Sequence, residues 1–540
     1  MCDIRKAGPL ALATLLLACT AARAADPVDA NTINRIADEG YNRGQVVNLA
    51  SHLSDRIGGR MTNSPAMRQA EKWTQQMFGS WGLQNVHAEG YDFGRGWWIE
   101  SASVRMTAPR PLALTAIPVA WTPPTRGTIS APIAVAPIRH IRDLAQYKGK
   151  LRGKIVLVSY PEDPKDDTAA SFKRYDEAEL GKLSTYDQPH YDPDQSFDLY
   201  KRYFELAREI DRFMAAEGAQ ALVKMSYRSG GLVQGEGYFH RKGETVSLPE
   251  VEMAAEDYRR LARLAKGGEV KLELNSNVHF DDRDMNAYNV FGEIPGSDPQ
   301  AGYVMAGAHL DSWVAGDGAA DNGAGSVVVM EAARILAQLG VKPKRTIRFA
   351  LWSGEEQGLL GSLAYIRQHI ATRPRPSGAE QAKLPEFMWE TYPITPLPGY
   401  NEMAAYFNLD NGSGKIRGIY AEGNFAAMPV LRNWLAPFAS LGADKVVAKK
   451  TGGTDHEIMA GMGLPAFQFI QDPLDYGSRV HHSNLDTFDH LRTEDLRQAA
   501  VIMATVLLQA AESDTPMPRN VLPKQPTATD PFHYRDPAKD

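Results

Sequence analysis

Cysteine is nearly absent from this 540-residue chain: Cys2 and Cys19 are the only two. After residue 19 no disulfide and no thiolate metal ligand can be built. No apolar run is long enough to cross a bilayer either, since the longest near the N-terminus holds about twelve residues against the roughly twenty a spanning helix needs. Charge of one sign is not in excess. With 59 Lys and Arg against 65 Asp and Glu the net charge is −6, and no long basic run occurs, which argues against nucleic acid as a partner. What is present is globular composition, 43% hydrophobic and 23% charged, on a chain long enough for two or three domains.

The opening "MCDIRKAGPLALATLLLACTAARAADP" has Arg5 and Lys6, an apolar run to Ala18 and the small-residue site Ala22-Arg23-Ala24. This predicts a secretory signal over residues 1–24 and export to the periplasm or the outside, with no cysteine left after cleavage. Leu16-Leu17-Ala18-Cys19 also resembles a bacterial lipobox. In that alternative Cys19 becomes a lipid-anchored N-terminus.

Residues 25–112 read as the first part of the main domain. Ser64-Pro65 is a capping hydroxyl before a proline at the first helical position, and Ala66, Ala70, Trp73, Met77 and Trp81 recur with helical spacing up to Gly82. From 113 to 280 the character changes. Short β-like runs, "GKIVLVSYP" and "GAQALVKMSY", flank a polar stretch, and "SLPEVEMAAEDYRRLARLAKGGEVKLEL" reads strand, helix, strand. This segment holds no tight cluster of metal ligands and is expected to be an inserted β-rich domain acting as a lid or substrate-shaping module. Strands and helices alternate again over 281–512, which predicts an α/β domain with a mixed, largely parallel central sheet flanked by helices. Residues 373–400 are Pro-rich, "EDLRQAAVIMATVLLQAA" is a closing helix, and the tail 513–540 has six prolines and the composition of a draped or disordered segment.

Chemistry gathers at the strand ends of that last domain. "YVMAGAHL" runs into "DSWVAGDGAADNGAG", offering His309, Asp311 and Asp321. "RTIRFALW" is followed by Glu355 and Glu356, "AAYFNL" by Asp410, and "RVHHSNLDTFDHL" adds His481 and His482. Singly each is weak: His-x-Asp is common, a Glu pair is usually a solvated face, and Asp before Asn-Gly usually marks a turn. Together they differ, because open α/β sheets form their sites just beyond the carboxyl ends of the strands. Imidazole and carboxylate without thiolate is a ligand set that suits zinc.

The motifs "HLDSW…DNGAG", "WSGEEQG", "NLD" and "HHSNLDT" occur in an order and spacing that closely resembles the co-catalytic two-zinc aminopeptidase family, which includes bacterial leucyl aminopeptidases and plasma glutamate carboxypeptidase (carboxypeptidase Q-like). The likeness runs from "HLSDRIGGRMTNS" to the closing helix, and residues 113–280 resemble that branch's protease-associated insertion. It implies a zinc exopeptidase domain with two Zn²⁺ per chain. Asp321 would bridge them, His309 and Asp410 would complete one half-site, and Glu356 and His482 the other. Asp311 would orient His309 through its second ring nitrogen. Glu355 would serve as general base on a metal-bound water and return the proton to the leaving amine. The peptide after the bridging aspartate is typically cis in the family, so a cis Asp321–Asn322 bond is expected. His481 competes with His482, but the family's His-Ser/Thr-x-x-Asp-Thr pattern falls on His482. "TGGTDHEIMAGMGLPAF" resembles a segment lining the substrate side, making Asp455 and His456 candidates against a plainer reading as a helix start near the surface.

The resemblance implies removal of N-terminal residues from peptides, or splitting of dipeptides, with carboxypeptidase action on the same site as the alternative. A glutaminyl cyclase-like acyltransferase would work with a single zinc, and an inactive binding protein would have lost a ligand or the base. The expected partners are peptide or dipeptide substrates, with a homodimer as a further option and no membrane span apart from the Cys19 anchor.

Overall fold

The run Tyr303–His309 is buried at every residue, as befits a central strand covered on both faces. It lies in an eight-stranded mixed sheet of a computed structural model that describes residues 28–164, 168–185, 197–237, 240, 242–378, 385–389 and 393–520. In spatial order the strands are Gln84–Asp92, Asn286–Ile294, Thr346–Trp352, Tyr303–His309, Met403–Asn408, Ala466–Gln471, Ile416–Tyr420 and Lys445–Val447. The middle four are mutually parallel. Their carboxyl ends therefore open on one edge, where crevices form in such sheets.

Helices cover both faces. On one side Ala324–Gln338 and Thr493–Glu512 bury Val328, Ile335, Val501 and Leu507 against Phe349 and Phe407. The closing helix is buried almost throughout from Leu496 to Ala511, and a helix apolar on all sides has to sit inside a core. On the other side Leu363, Ile366, Ile458 and Met459 pack on Trp352 and Tyr406.

The helix Pro65–Ser80 starts as expected, with the Ser64 hydroxyl accepting from the Met67 amide at 3.2 Å. Its buried stripe is rotated, however. Met67, Ala70, Thr74 and Phe78 face inward, while Trp73, Met77 and Trp81 flank the core half-buried. Adjacent stripes share nearly the same spacing, so periodicity cannot separate them. The wide indoles cover the rim instead, Trp73 stacking on His52 with ring centroids 4.5 Å apart.

A second eight-stranded sheet runs Leu112–Leu114, Gly96–Ala108, Lys271–Asp281, Ile129–Val135, Ile155–Leu157, Ala221–Met225, Glu250–Met253 and Ala116–Pro118. It begins upstream of the expected position 113. The chain leaves the first sheet along Gln84–Asp92, which pairs with Asn286–Ile294. Gly96–Ala108 then pairs with Lys271–Asp281. Outgoing and returning strands stay side by side, so the second sheet starts as soon as the chain departs. Between the sheets Met61, Phe93, Trp97, Trp121 and Trp313 form a separate small core.

Residues 1–24, where the signal and the lipobox alternative fall, lie outside the described residues, as do 521–540 of the tail and parts of the Pro-rich excursion. The start of the tail is draped: Met517 is buried and the Pro518 carbonyl accepts from Asn424 at 2.6 Å. Among the described residues no helix is long and apolar enough to cross a membrane.

Candidate metal centre

Each of the four central strands delivers a side chain to the open edge. His309 is the last residue of its strand. Asp321 follows in a kinked turn, Ala319–Gly323, just before the buried helix Ala324–Gln338. Two glycines make the turn feasible: Gly318 has φ +61°, and a Cβ on Gly325 would collide with the Leu409 carbonyl oxygen. The Asp321–Asn322 peptide is cis. The Asn322 amide then donates to the Leu409 carbonyl at 3.0 Å, and its oxygen accepts from the Gly325 amide at 2.9 Å. That ties the turn to the segment carrying Asp410. Glu355 and Glu356 follow the strand Thr346–Trp352, and His481 and His482 come after the turn Tyr476–Val480 beyond the strand Ala466–Gln471.

The side chains converge on Asp321. His309 Nε2 lies 3.3 Å from Asp321 Oδ1 and 3.4 Å from Asp410 Oδ1. On the other side His482 Nε2 lies 3.1 Å from both Asp321 Oδ2 and Glu356 Oε2, and His481 Nε2 lies 3.5 Å from Asp321 Oδ2. Among the described residues two groups could hold a cation, His309 with Asp321 and Asp410, and His481 and His482 with Asp321; Asp321 belongs to both. Glu355 stands beside them, Oε2 being 3.9 Å from His309 Nε2. Asp321 Oδ2, Glu356 Oε1 and Asp410 Oδ1 are buried and make no hydrogen bond. Imidazole nitrogens stand 3.1 Å from Asp321 Oδ2 and 3.4 Å from Asp410 Oδ1 without making a hydrogen bond, and Glu356 Oε1 has no donor at all.

The electrostatics agree. Burial pushes Glu356 up to about 7 against the pull of His482, and Asp455 up to about 7 against that of His309. Glu355 is driven well above its ordinary value by burial, with His309 opposing. Asp321 goes the other way: burial would raise it, but His309 and His482 outweigh that and hold it well down. His309 and His482 are raised, because nearby carboxylates, Asp410 and Glu355 for the first and Glu356 for the second, overcome burial. His481 is pushed down to about 4 by burial, with His482 adding to it. The pocket is short of positive charge, and a buried cluster of carboxylate and imidazole is what a divalent cation satisfies.

A second layer holds the donors. The Nδ1 of His309 meets Asp311 through the main-chain carbonyl at 2.9 Å, with the carboxylate 3.7 Å away. The Asp311 carboxylate instead accepts from the Thr62 hydroxyl at 2.9 Å and from the Glu355 and Glu356 amides at 3.3 Å. One residue thus positions both the histidine and the glutamate pair. Asp486 accepts from the Ala320 and Asp321 amides at 2.5 and 3.1 Å. Arg60, fully buried, donates to the carbonyls of Gly58, Leu310, Asp317 and Gly318 at 2.7–2.9 Å. Replacing Arg60 with methionine should lower stability by about 3 kcal/mol, since several buried carbonyls lose their donor at once. Urea denaturation measures this, and a loss under about 1 kcal/mol would mean the loop finds other donors.

His309, Asp311, Asp321, Glu355, Glu356, Asp410 and His482 are therefore brought together, with His481 stacked on His482 at 3.6 Å between ring centroids. Asp455 is within electrostatic reach of His309, Asp410 and Asp311. His456 points elsewhere, its Nε2 lying 3.2 Å from Glu422. Both residues do precede a short helix, Glu457–Gly461, but they are completely buried rather than near the surface, because the turn packs beneath the sheet edge. Sequence reasoning gave no role to Arg60, Asp486 or Glu236. Asp486 had a signal, being the aspartate of the His-Ser-x-x-Asp-Thr pattern. Glu236 had none: it comes from the second sheet's segment, 246 residues from His482, yet its Oε1 lies 2.7 Å from His482 Nδ1.

Residues 289–507 match the profile of Peptidase family M28. Carboxypeptidase Q of Mus musculus is 25% identical over 476 residues, spanning 87% of this chain and 86% of its own. Among solved structures, a Peptidase M28 precursor from Shewanella amazonensis SB2B superposes with a TM-score of 0.64 at 24% identity, covering 92% of this chain and 99% of that one. BSAP, a zinc aminopeptidase from Bacillus subtilis, superposes with a TM-score of 0.56 at 19% identity, covering 87% and 95%. These two structural likenesses bear on the fold.

Proposed function

We propose, from the match of residues 289–507 to Peptidase family M28, that the chain is a metallopeptidase of that family, an exported, two-zinc exopeptidase that removes N-terminal residues from peptides or splits dipeptides. The observation that carries the reading is the convergence of two donor groups on Asp321, with buried carboxylate oxygens that no hydrogen bond satisfies. The ions these donors would take are two Zn²⁺, zinc being the metal named for the Bacillus subtilis aminopeptidase of similar fold. His309 and Asp410 would hold one, Glu356 and His482 the other, and Asp321 would contribute to both. When bound, zinc supplies Lewis acidity, lowering the pKa of a coordinated water and polarising the scissile carbonyl.

Glu355 is the general base. It takes a proton from the attacking water and delivers it to the leaving amine. Asp311 holds Glu355 and Glu356 by their amides, so that adjacent side chains serve different tasks. Asp455 lies on the substrate side. Residues 113–280 are read as an inserted protease-associated domain, and the second sheet around them begins at Gly96 and includes the strand ending at Asp281.

Carboxypeptidase action is the second reading, favoured by the similarity to carboxypeptidase Q over most of both chains. The two separate on a panel of free dipeptides, N-blocked dipeptides and aminoacyl-anilides, assayed with and without a chelator. The expected result is cleavage of the free dipeptides and anilides, none of the blocked ones, and no activity with chelator. Cleavage of blocked dipeptides alone transfers the assignment to a carboxypeptidase. Turnover that persists after complete zinc removal refutes both.

A further inference from the structure

We propose that Glu236 is a positioning residue for His482, so that the unit built on the second sheet completes the metal centre rather than merely covering it. The inference rests on the assignment of His482 as a zinc ligand.

An imidazole that binds metal through one nitrogen needs an acceptor at the other. Without one the ring can rotate or take the wrong tautomer, and its basicity falls. His482 presents Nε2 to Asp321 and Glu356, both at 3.1 Å, and Nδ1 to Glu236 Oε1 at 2.7 Å. Here the acceptor is a side-chain carboxylate delivered from the other sheet. His309 has only a main-chain carbonyl in the equivalent place. The two histidine ligands are thus supported differently, one from within its own strand end and one from the other sheet.

Glu236 is not on a free loop. The preceding Gln234 amide donates to Glu252 Oε1 at 2.8 Å, the Gly235 carbonyl accepts from the Ala120 amide at 2.9 Å, and the Glu236 carbonyl accepts from Lys224 Nζ at 2.7 Å. The same segment grips the histidine loop. Arg228 Nη1 donates to the His481 carbonyl at 2.9 Å, Val233 N donates to Asn484 Oδ1 at 3.0 Å, and the Asn484 amide donates back to the Val233 carbonyl at 3.0 Å. That grip matters because His482 holds φ +61°, a left-handed conformation that residues other than glycine seldom adopt unless their surroundings enforce it.

The test compares wild type, Glu236→Gln and Glu236→Ala as full chains, first freed of metal and then titrated with zinc against a competing chelator. Gln keeps the size and one acceptor oxygen without the charge; Ala removes both. In Glu236→Ala the affinity for one zinc should fall about 10- to 100-fold, the usual cost of losing such a partner. Binding of the other zinc and the KM for substrate should stay as in wild type. Glu236→Gln should weaken the same zinc to a smaller degree. With cobalt(II) substituted for zinc, the visible absorption of that one site should shift in both variants. If Glu236→Ala does not fold, the Gln variant decides by the same two readouts, because a purely structural role would leave its cobalt spectrum unchanged. Unaltered affinity and spectrum in the folded variants overturn the proposal, and so does equal weakening of both ions. A wild-type chain that takes up no zinc overturns the function itself, and this inference with it; the two failures are distinguished by the wild-type titration.

Discussion

Glu355→Gln should reduce kcat by about 10²- to 10⁴-fold, the range lost when a general base is removed, while the protein keeps its zinc. Glutamine has the same shape, and the Glu355 main-chain amide, which bonds to Asp311 at 3.3 Å, is untouched. The neighbouring Glu356 keeps its own amide bond to Asp311 and its 3.1 Å approach to His482. The ligand set is therefore intact, and only a group that accepts and returns a proton has gone. KM should change little, since substrate is held by other contacts. Steady-state kinetics run beside metal analysis of the same preparation check this. A variant with normal zinc and activity within tenfold of wild type would rule out Glu355 as the base. Loss of zinc from the variant would instead make it a ligand.

Asp321→Ala should abolish activity through a different route, by emptying both metal positions. Its carboxylate is the only one common to the two donor groups, with Oδ1 3.3 Å from His309 and Oδ2 3.1 Å from His482. Removing it takes one anionic ligand from each side at once, so zinc per chain should fall close to zero at micromolar free metal. Asp410→Ala is the control. It touches the group with His309 alone, and one zinc should stay, bound by Asp321, Glu356 and His482. Binding also links to stability, because metal that binds only the folded chain adds about 2.7 kcal/mol at a hundred times its Kd. The Asp321→Ala protein should accordingly melt at the same temperature with and without added zinc, whereas wild type should melt higher with zinc. If Asp321→Ala retains one tightly bound zinc, the two groups do not depend on a shared carboxylate.

The strand ends were readable because alternation and burial are local. Tyr303–His309, Thr346–Trp352 and Met403–Asn408 appear as apolar runs between helical stretches, and parallel pairing then forces their carboxyl ends onto one edge. The resemblance to a two-zinc family attached roles to those ends, and the cis bond at Asp321–Asn322 is present as it implied. Finer matters were not readable. Periodicity placed the buried stripe of Pro65–Ser80 one position off, since neighbouring stripes repeat alike. The second sheet starts at Gly96 rather than 113 because pairing between distant strands, not composition, sets its edge. Asp311 was expected to orient His309 through its second ring nitrogen; which atom of Asp311 does so was not readable, and it is the main-chain carbonyl that meets Nδ1, leaving the carboxylate to hold Glu355 and Glu356.

By itself the sequence determined which chemical groups this protein can bring to a site and where along the chain they sit: histidine and carboxylate at the ends of buried strands, with no thiol after Cys19. Only the tertiary structure decided which of their atoms meet, that Asp321 is common to both groups, and that Glu236 from the other sheet stands behind His482. Local pattern governs strands and turns over a few residues, whereas a contact between positions 246 apart is set by how two sheets pack, and no local signal records that.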